Sequence, residues 1–294
     1  MSNNSQTSVF NYQISDLVPY INWIYFFHAW GMEPRFAAIA EVHDCTSCRA
    51  AWVATFAAEE QAKAREAVAL YDDAMALLRA WAGTPICQAL FLLADANSEG
   101  DDIIINRNIL LPLLRQQQAN REGYTLCLSD FIRPSTSNIT DRIGIFATTA
   151  HVPENDNTLL ASTLADRLAE ATAEKLHEEV RKQYWGYAKE EQLTMHELHE
   201  EKFQGIRPAV GYPSLPDQSI NFIIDKLLDF KKIGITLSTN GAMQPASSVS
   251  GLMISHPQAH YFAVGKISED QLCDYSTRRD ISIESLRYFL ENNL

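Results

Sequence analysis

The stretch Gly205-Ile206-Arg207-Pro208-Ala209-Val210-Gly211-Tyr212-Pro213-Ser214-Leu215-Pro216-Asp217 interrupts an otherwise regular alternation of helices and strands. Its three prolines remove backbone donors and fix φ, so neither a helix nor a central strand runs through it. A stiff loop of this kind holds backbone N–H and C=O groups at fixed places. Gly211 permits close backbone approach to a ligand, and Arg207 adds a permanent charge with a forked set of donors. A zwitterionic amino-acid ligand suits that combination. A surface connection whose arginine pairs with a nearby glutamate is the simpler alternative.

Helices are expected on both sides of this loop. Thr194 with Glu197 forms a capping box for a helix at 195–203, and a further helix at 218–232 precedes Gly234. Upstream, residues 159–184 place Leu160, Leu164, Leu168, Ala169, Ala173, Leu176 and Val180 on one apolar stripe. Asp166, Glu170 and Glu174 stack on the opposite side at i, i+4 and i+8. A second long helix is expected at 57–81, ended by Gly83 and Pro85.

Between 87 and 150 the pattern changes to short β-rich runs at Leu90-Phe91-Leu92, Ile103-Ile104-Ile105, Leu126-Cys127-Leu128 and Ile143-Gly144-Ile145-Phe146, with one helical insert at 108–118. Short strands are expected near 235–238, 250–255 and 261–265. Ser268 with Gln271 caps a later helix, and a last helix covers 282–291. At the other end, residues 1–12 are polar and expected to fray, and Ser15-Asp16 to cap a short helix. This order predicts an α+β fold: one domain over 13–294, with a mainly antiparallel, twisted sheet flanked by long helices.

The 294 residues carry 24 basic and 37 acidic side chains, a formal charge of −13, which disfavours nucleic acid and anionic membranes as partners. The start lacks a basic targeting region and the most apolar stretch, 17–32, is broken by Pro19, Asn22 and His28. A cytoplasmic protein is expected. Five scattered cysteines fit a reducing compartment. Cys45-Thr46-Ser47-Cys48, with His43 nearby, fits half of a zinc site or a redox pair. No second cysteine pair accompanies it, so no metal is expected. His196 and His199 lie three apart rather than four, which sets aside a metalloprotease helix. Neither a dinucleotide fingerprint nor a phosphate loop occurs, and no Asp-x-His-x-x-Gly cobalamin motif is present.

Arg207-Pro208-Ala209-x-Gly211-Tyr212-Pro213 closely resembles the signature of the activation domain of cobalamin-dependent methionine synthase. Other landmarks follow in order: Tyr20-Ile21-Asn22-Trp23 with Phe26-Phe27 and Trp30, Asp102-Ile103, Leu114-Arg115-Gln116-Gln117 and Leu128-Ser129-Asp130-Phe131. The helix Ala165-Asp166-Arg167-Leu168-Ala169-Glu170-Ala171, running on to Tyr184-Trp185-Gly186-Tyr187, is similar to the family's most recognisable helix. Ser248-Val249-Ser250-Gly251 and Ser255-His256-Pro257 complete a match that is nearly end to end.

The resemblance implies binding of S-adenosylmethionine through Arg207, Ala209, Gly211 and Tyr212 of the loop, Glu170 of the helix, and Tyr261 with Phe262. Glu201 and Asn22 are further candidates, and Asp166 is implied to face cobalamin on a partner. Asn22 stands where the family usually has Asp, and an extra stretch at 41–56 carries Cys45 and Cys48. No residue is assigned to proton transfer or covalent catalysis.

The implied activity is reductive remethylation of cob(II)alamin, with the methyl from S-adenosylmethionine and an electron from a flavodoxin-like donor. These residues are used almost entirely by the activation domain. The expected arrangement is therefore action in trans on a cobalamin-loaded methionine synthase lacking its own activation domain. Reactivation of another corrinoid methyltransferase, and a non-catalytic S-adenosylmethionine sensor, are the alternatives.

Overall fold

A computed structural model describes residues 6–119 and 123–294. Strand β1 (Ser8–Tyr12) leads into helices α1 (Ile14–Leu17), α2 (Trp23–Ala29), α3 (Thr46–Ala54) and α4 (Gln61–Ala80). The long strand β2 (Cys87–Glu99) follows, then β3 (Asp102–Ile105), β4 (Ile109–Pro112) and β5 (Asp141–Ala150). After α5 (Leu159–Glu179), α6 (Met195–His199) and α7 (Asn221–Leu228) come β6 (Thr236–Leu237), β7 (Met243–Gln244) and β8 (Ser248–Met253). Helices α8 (Glu269–Arg279) and α9 (Ile283–Phe289) close the chain.

The main sheet is antiparallel, in the order β4-β3-β2-β5-β8. β1 and β3 share one edge of β2, the first against Cys87–Phe91 and the second against its far end. Alternation along the strands divides the core. Ala89, Phe91, Phe146 and Met253 face a cluster built with α1 to α5. Leu90, Leu92, Ile145 and Leu252 face a second cluster under α7 and residues 230–235. A smaller cluster joins α8 and α9 to Leu114 and Val264.

Helix α5 crosses the first face of the sheet. Thr158 caps it by accepting the N–H of Ala161 at 3.1 Å, and Ala161, Leu164, Leu168 and Leu176 are buried along one stripe. Thr148 of β5 donates to the carbonyl of Ala169 at 3.0 Å, fastening helix to strand. At Val180–Tyr184 the helix widens to a π-type turn that carries Arg181 inward. There Arg181 is fully buried, pairing with Glu191 at 2.7 Å and stacking over Phe203 at 4.3 Å.

Several expectations change. Residues 1–5 lie outside the described residues, but Ser8–Tyr12 are not frayed: they pair with β2, and Tyr12 donates to Glu179 at 2.7 Å. Ordered structure therefore begins before residue 13. Gln13, not Ser15-Asp16, precedes the first helix. The expected helical insert at 108–118 is absent: Ile109–Pro112 form β4, turned back on β3 through Asn106 and Arg107 at positive φ, and 113–118 are irregular. Leu126–Leu128 make no strand; a single tight helical turn occupies Leu128–Phe131. Residues 261–265 run without sheet pairing of their own because their partner is the proline-rich loop, as Val264 N–H bonds to Pro213 O at 2.9 Å.

Candidate functional site

The proline-rich loop is held against β8, the edge of the sheet. Ile206 and Ile254 exchange backbone bonds at 2.9 and 3.0 Å, Leu252 N–H donates to Pro208 O at 3.0 Å, and Val210 N–H donates to Ser250 O at 2.9 Å. Proline is tolerated because at 208 the sheet takes only its carbonyl. A Cβ on Gly251 would lie 2.2 Å from Pro208 O, so only glycine allows this approach. Beyond it, Gly211 at φ +88° and a Tyr212–Leu215 turn reverse the chain toward the cavity mouth.

Residues of this loop and of α5 line a cavity of about 720 Å³. The acidic row on α5 receives the loop: Tyr212 Oη donates to Glu170 at 2.7 Å, and Arg207 Nη2 donates to Glu174 at 2.8 Å. Arg207 Nη1 meets His177 Nδ1 at 3.2 Å, and the Arg207 backbone N–H donates to Tyr261 Oη at 2.9 Å. Phe262 is fixed by its N–H to Ser214 Oγ at 3.1 Å.

Burial sets the electrostatics. Desolvation is the largest influence and opposes the Arg207 charge, but Glu174, Tyr261 and Glu170 together outweigh it and hold the guanidinium above its ordinary value. Burial, followed by the charges of Arg181 and Arg207, pushes His177 well below the usual imidazole range, so it accepts from Arg207 as a neutral ring. Burial raises Glu201, against the pull of Arg207. Glu201 has no ion-pair partner among the described residues, and one oxygen of Glu174 is buried without a hydrogen bond.

Asn22, Glu170, Glu201, Arg207, Ala209, Tyr212, Tyr261 and Phe262, all named from the sequence, line this one cavity. Gly211 shapes the turn without lining it. Asp166 sits outside, exposed one turn before Glu170, its carboxyl raised by partial burial and by Glu170 against the pull of Arg167. Asn22 is also the cap of α2, its Oδ1 accepting Ile24 N–H at 3.1 Å.

The Arg207 fork is not free for a ligand, since Glu174 and His177 take it. The structure thus realises the arginine–glutamate pairing, but inside a cavity. Sequence reading missed Glu174 as a site residue, although it closed the acidic row, and missed His177, which reads as one more core position. Tyr20, Tyr25 and Arg167 also line the walls. His199 reaches the wall as well, with Nε2 3.4 Å from Tyr20 O, while the capping box of Thr194 and Glu197 forms as expected.

An antiparallel sheet, a long acidic-faced helix and a proline-rich loop beside an aromatic, acidic cleft define an α+β domain with a candidate small-molecule site. The family described as vitamin B12 dependent methionine synthase, activation domain, matches residues 13–280, and the chain belongs to it. A crystal structure of the MetH reactivation domain bound to AdoHcy is similar to this one, with a TM-score of 0.86 and 34% identity. The likeness covers 100% of this chain and 91% of that one.

Proposed function

We propose that the cleft binds S-adenosylmethionine and presents its methyl group for reductive remethylation of cob(II)alamin on a separate methionine synthase. The observation that carries the reading is the set of groups lining one cavity: Glu170, Glu174 and Glu201, the guanidiniums of Arg167 and Arg207, and the rings of Tyr20, Tyr25, Tyr212, Tyr261 and Phe262. Carboxylates and aromatic faces suit a sulfonium cation and an ammonium, and the tyrosines and Phe262 suit an adenine. A cavity of about 720 Å³ lies within the roughly 300–1,000 Å³ range of small-molecule sites. That the similar reactivation domain was crystallised with AdoHcy supports the same choice of ligand.

Bound here, S-adenosylmethionine supplies an electrophilic methyl group. The chain's contribution is positional. The α5 carboxylates hold the cationic end, backbone groups of Pro208–Tyr212 hold the polar ends, and aromatic walls exclude water from the reacting face. Asp166, exposed on the same helix, faces the incoming corrinoid partner, and a flavodoxin-like protein supplies the electron.

The test mixes this chain with a cob(II)alamin-loaded synthase lacking its activation domain, S-adenosylmethionine and a reduced flavodoxin. Recovery of the methylcobalamin spectrum only when all are present supports the proposal. Ligand binding with no spectral change would make the chain a sensor, and recovery only with a different corrinoid methyltransferase would reassign its partner.

A further inference from the structure

Outside the cleft, the stretch at 41–56 brings one donor atom each of His43, Cys45 and Cys48 within 4.8 Å of one another. Cys45 is the cap of the nine-residue helix α3. Its Sγ accepts the Cys48 N–H at 3.2 Å and lies 3.3 Å from Ser47 Oγ. His43 Nδ1 accepts the Cys45 N–H at 3.3 Å. Cys45 and Cys48 are partly exposed, whereas Cys87 and Cys127 are buried.

We infer that Cys45 and Cys48 form a redox-active dithiol whose substrates are small-molecule disulfides. The two sulfurs sit at the cap and the third residue of one helical turn, and side-chain rotation brings them toward the S–S bond length of about 2 Å. The free N–H groups and positive end of α3 stabilise a thiolate at the cap. Contact with Cys48, and then with Ser47, lowers the Cys45 thiol to about 6, while the same contact raises Cys48. That division separates an attacking sulfur from a resolving one. The engagement of His43 Nδ1 by a backbone N–H favours the dithiol over a three-donor metal site.

In the reaction, the Cys45 thiolate attacks one sulfur of the disulfide, bonds to that half and expels the other as a thiolate. Cys48 releases its proton to solvent and attacks Cys45 Sγ, expelling the second half. The protein loses two electrons and the small disulfide becomes two thiols; excess small thiol reverses both steps. Closure pins the first turn of α3, from which Arg49 reaches Asp72 on α4. None of this rests on the methyl-donor reading of the cleft.

The experiment treats the reduced full chain with oxidised glutathione and maps products by intact-mass and peptide mass spectrometry. A Cys45–Cys48 disulfide is expected, with Cys48→Ser trapping a glutathione adduct on Cys45 and Cys45→Ser forming neither. In the unmutated chain, alkylation of Cys45 by iodoacetamide should be half-maximal near pH 6. At neutral pH it should run a few-fold faster than at the exposed Cys273. Glutathionylation of Cys273 with no Cys45–Cys48 disulfide would overturn the inference. So would a stoichiometric metal ion that blocks exchange and is lost in His43→Ala.

Discussion

Arg207 lines the cavity with its guanidinium already engaged, since Glu174 and a neutral His177 take two of its nitrogens. The Arg207 and Glu174 side chains are only 13% and 14% exposed, so removing one partner strands the other charge. Arg207→Ala should therefore lower stability in urea unfolding by about 3 kcal/mol, and Arg207→Lys should restore only part of it. His177 gives a pH signature. Its folded pKa lies below its unfolded value of about 6.5, so the unfolded chain binds the extra proton and stability is lost as pH falls through that value. The slope should approach about 1.4 kcal/mol per pH unit and flatten in His177→Gln. Asn22 tests the departure from the family pattern. Asp caps a helix as well as Asn does, so Asn22→Asp should leave stability unchanged and tighten S-adenosylmethionine binding by roughly tenfold, read by calorimetry.

Helices α4 and α5 are legible in the sequence because an apolar stripe every three to four residues is local information. β4 is not: Ile109, Leu110 and Leu111 fall in a stretch that reads as helical, and only pairing with β3, set by the Asn106-Arg107 turn, makes them extended. β1 is hidden for the same reason, since its partner lies about 80 residues away, at Cys87–Phe91. The loop at 205–217 was recognisable as irregular, but its docking along β8 depends on Gly251, a residue distant in sequence. Gly251→Ala should push Pro208 away from β8, cost about 1–3 kcal/mol in unfolding free energy, and weaken ligand binding through displaced Arg207 and Tyr212.

The fold of the whole molecule gathers eight of the nine cleft residues named from the sequence around one cavity, although they come from the cap of α2, α5, the turn after α6, the loop and the segment before α8. Residue types and family likeness made that set legible. The engagement of Arg207 and the roles of Glu174 and His177 were not, because each depends on a contact between α5 and a loop about 30 residues further on. Among the described residues no helix is long and apolar enough to cross a membrane. What binds between α5 and the loop is the central claim, and titration calorimetry with S-adenosylmethionine tests it most directly. The account predicts one saturable site, weakened on the order of tenfold by Glu170→Gln, which loses a charge beside a cationic ligand. Absence of binding heat, or binding indifferent to Glu170→Gln, would contradict it.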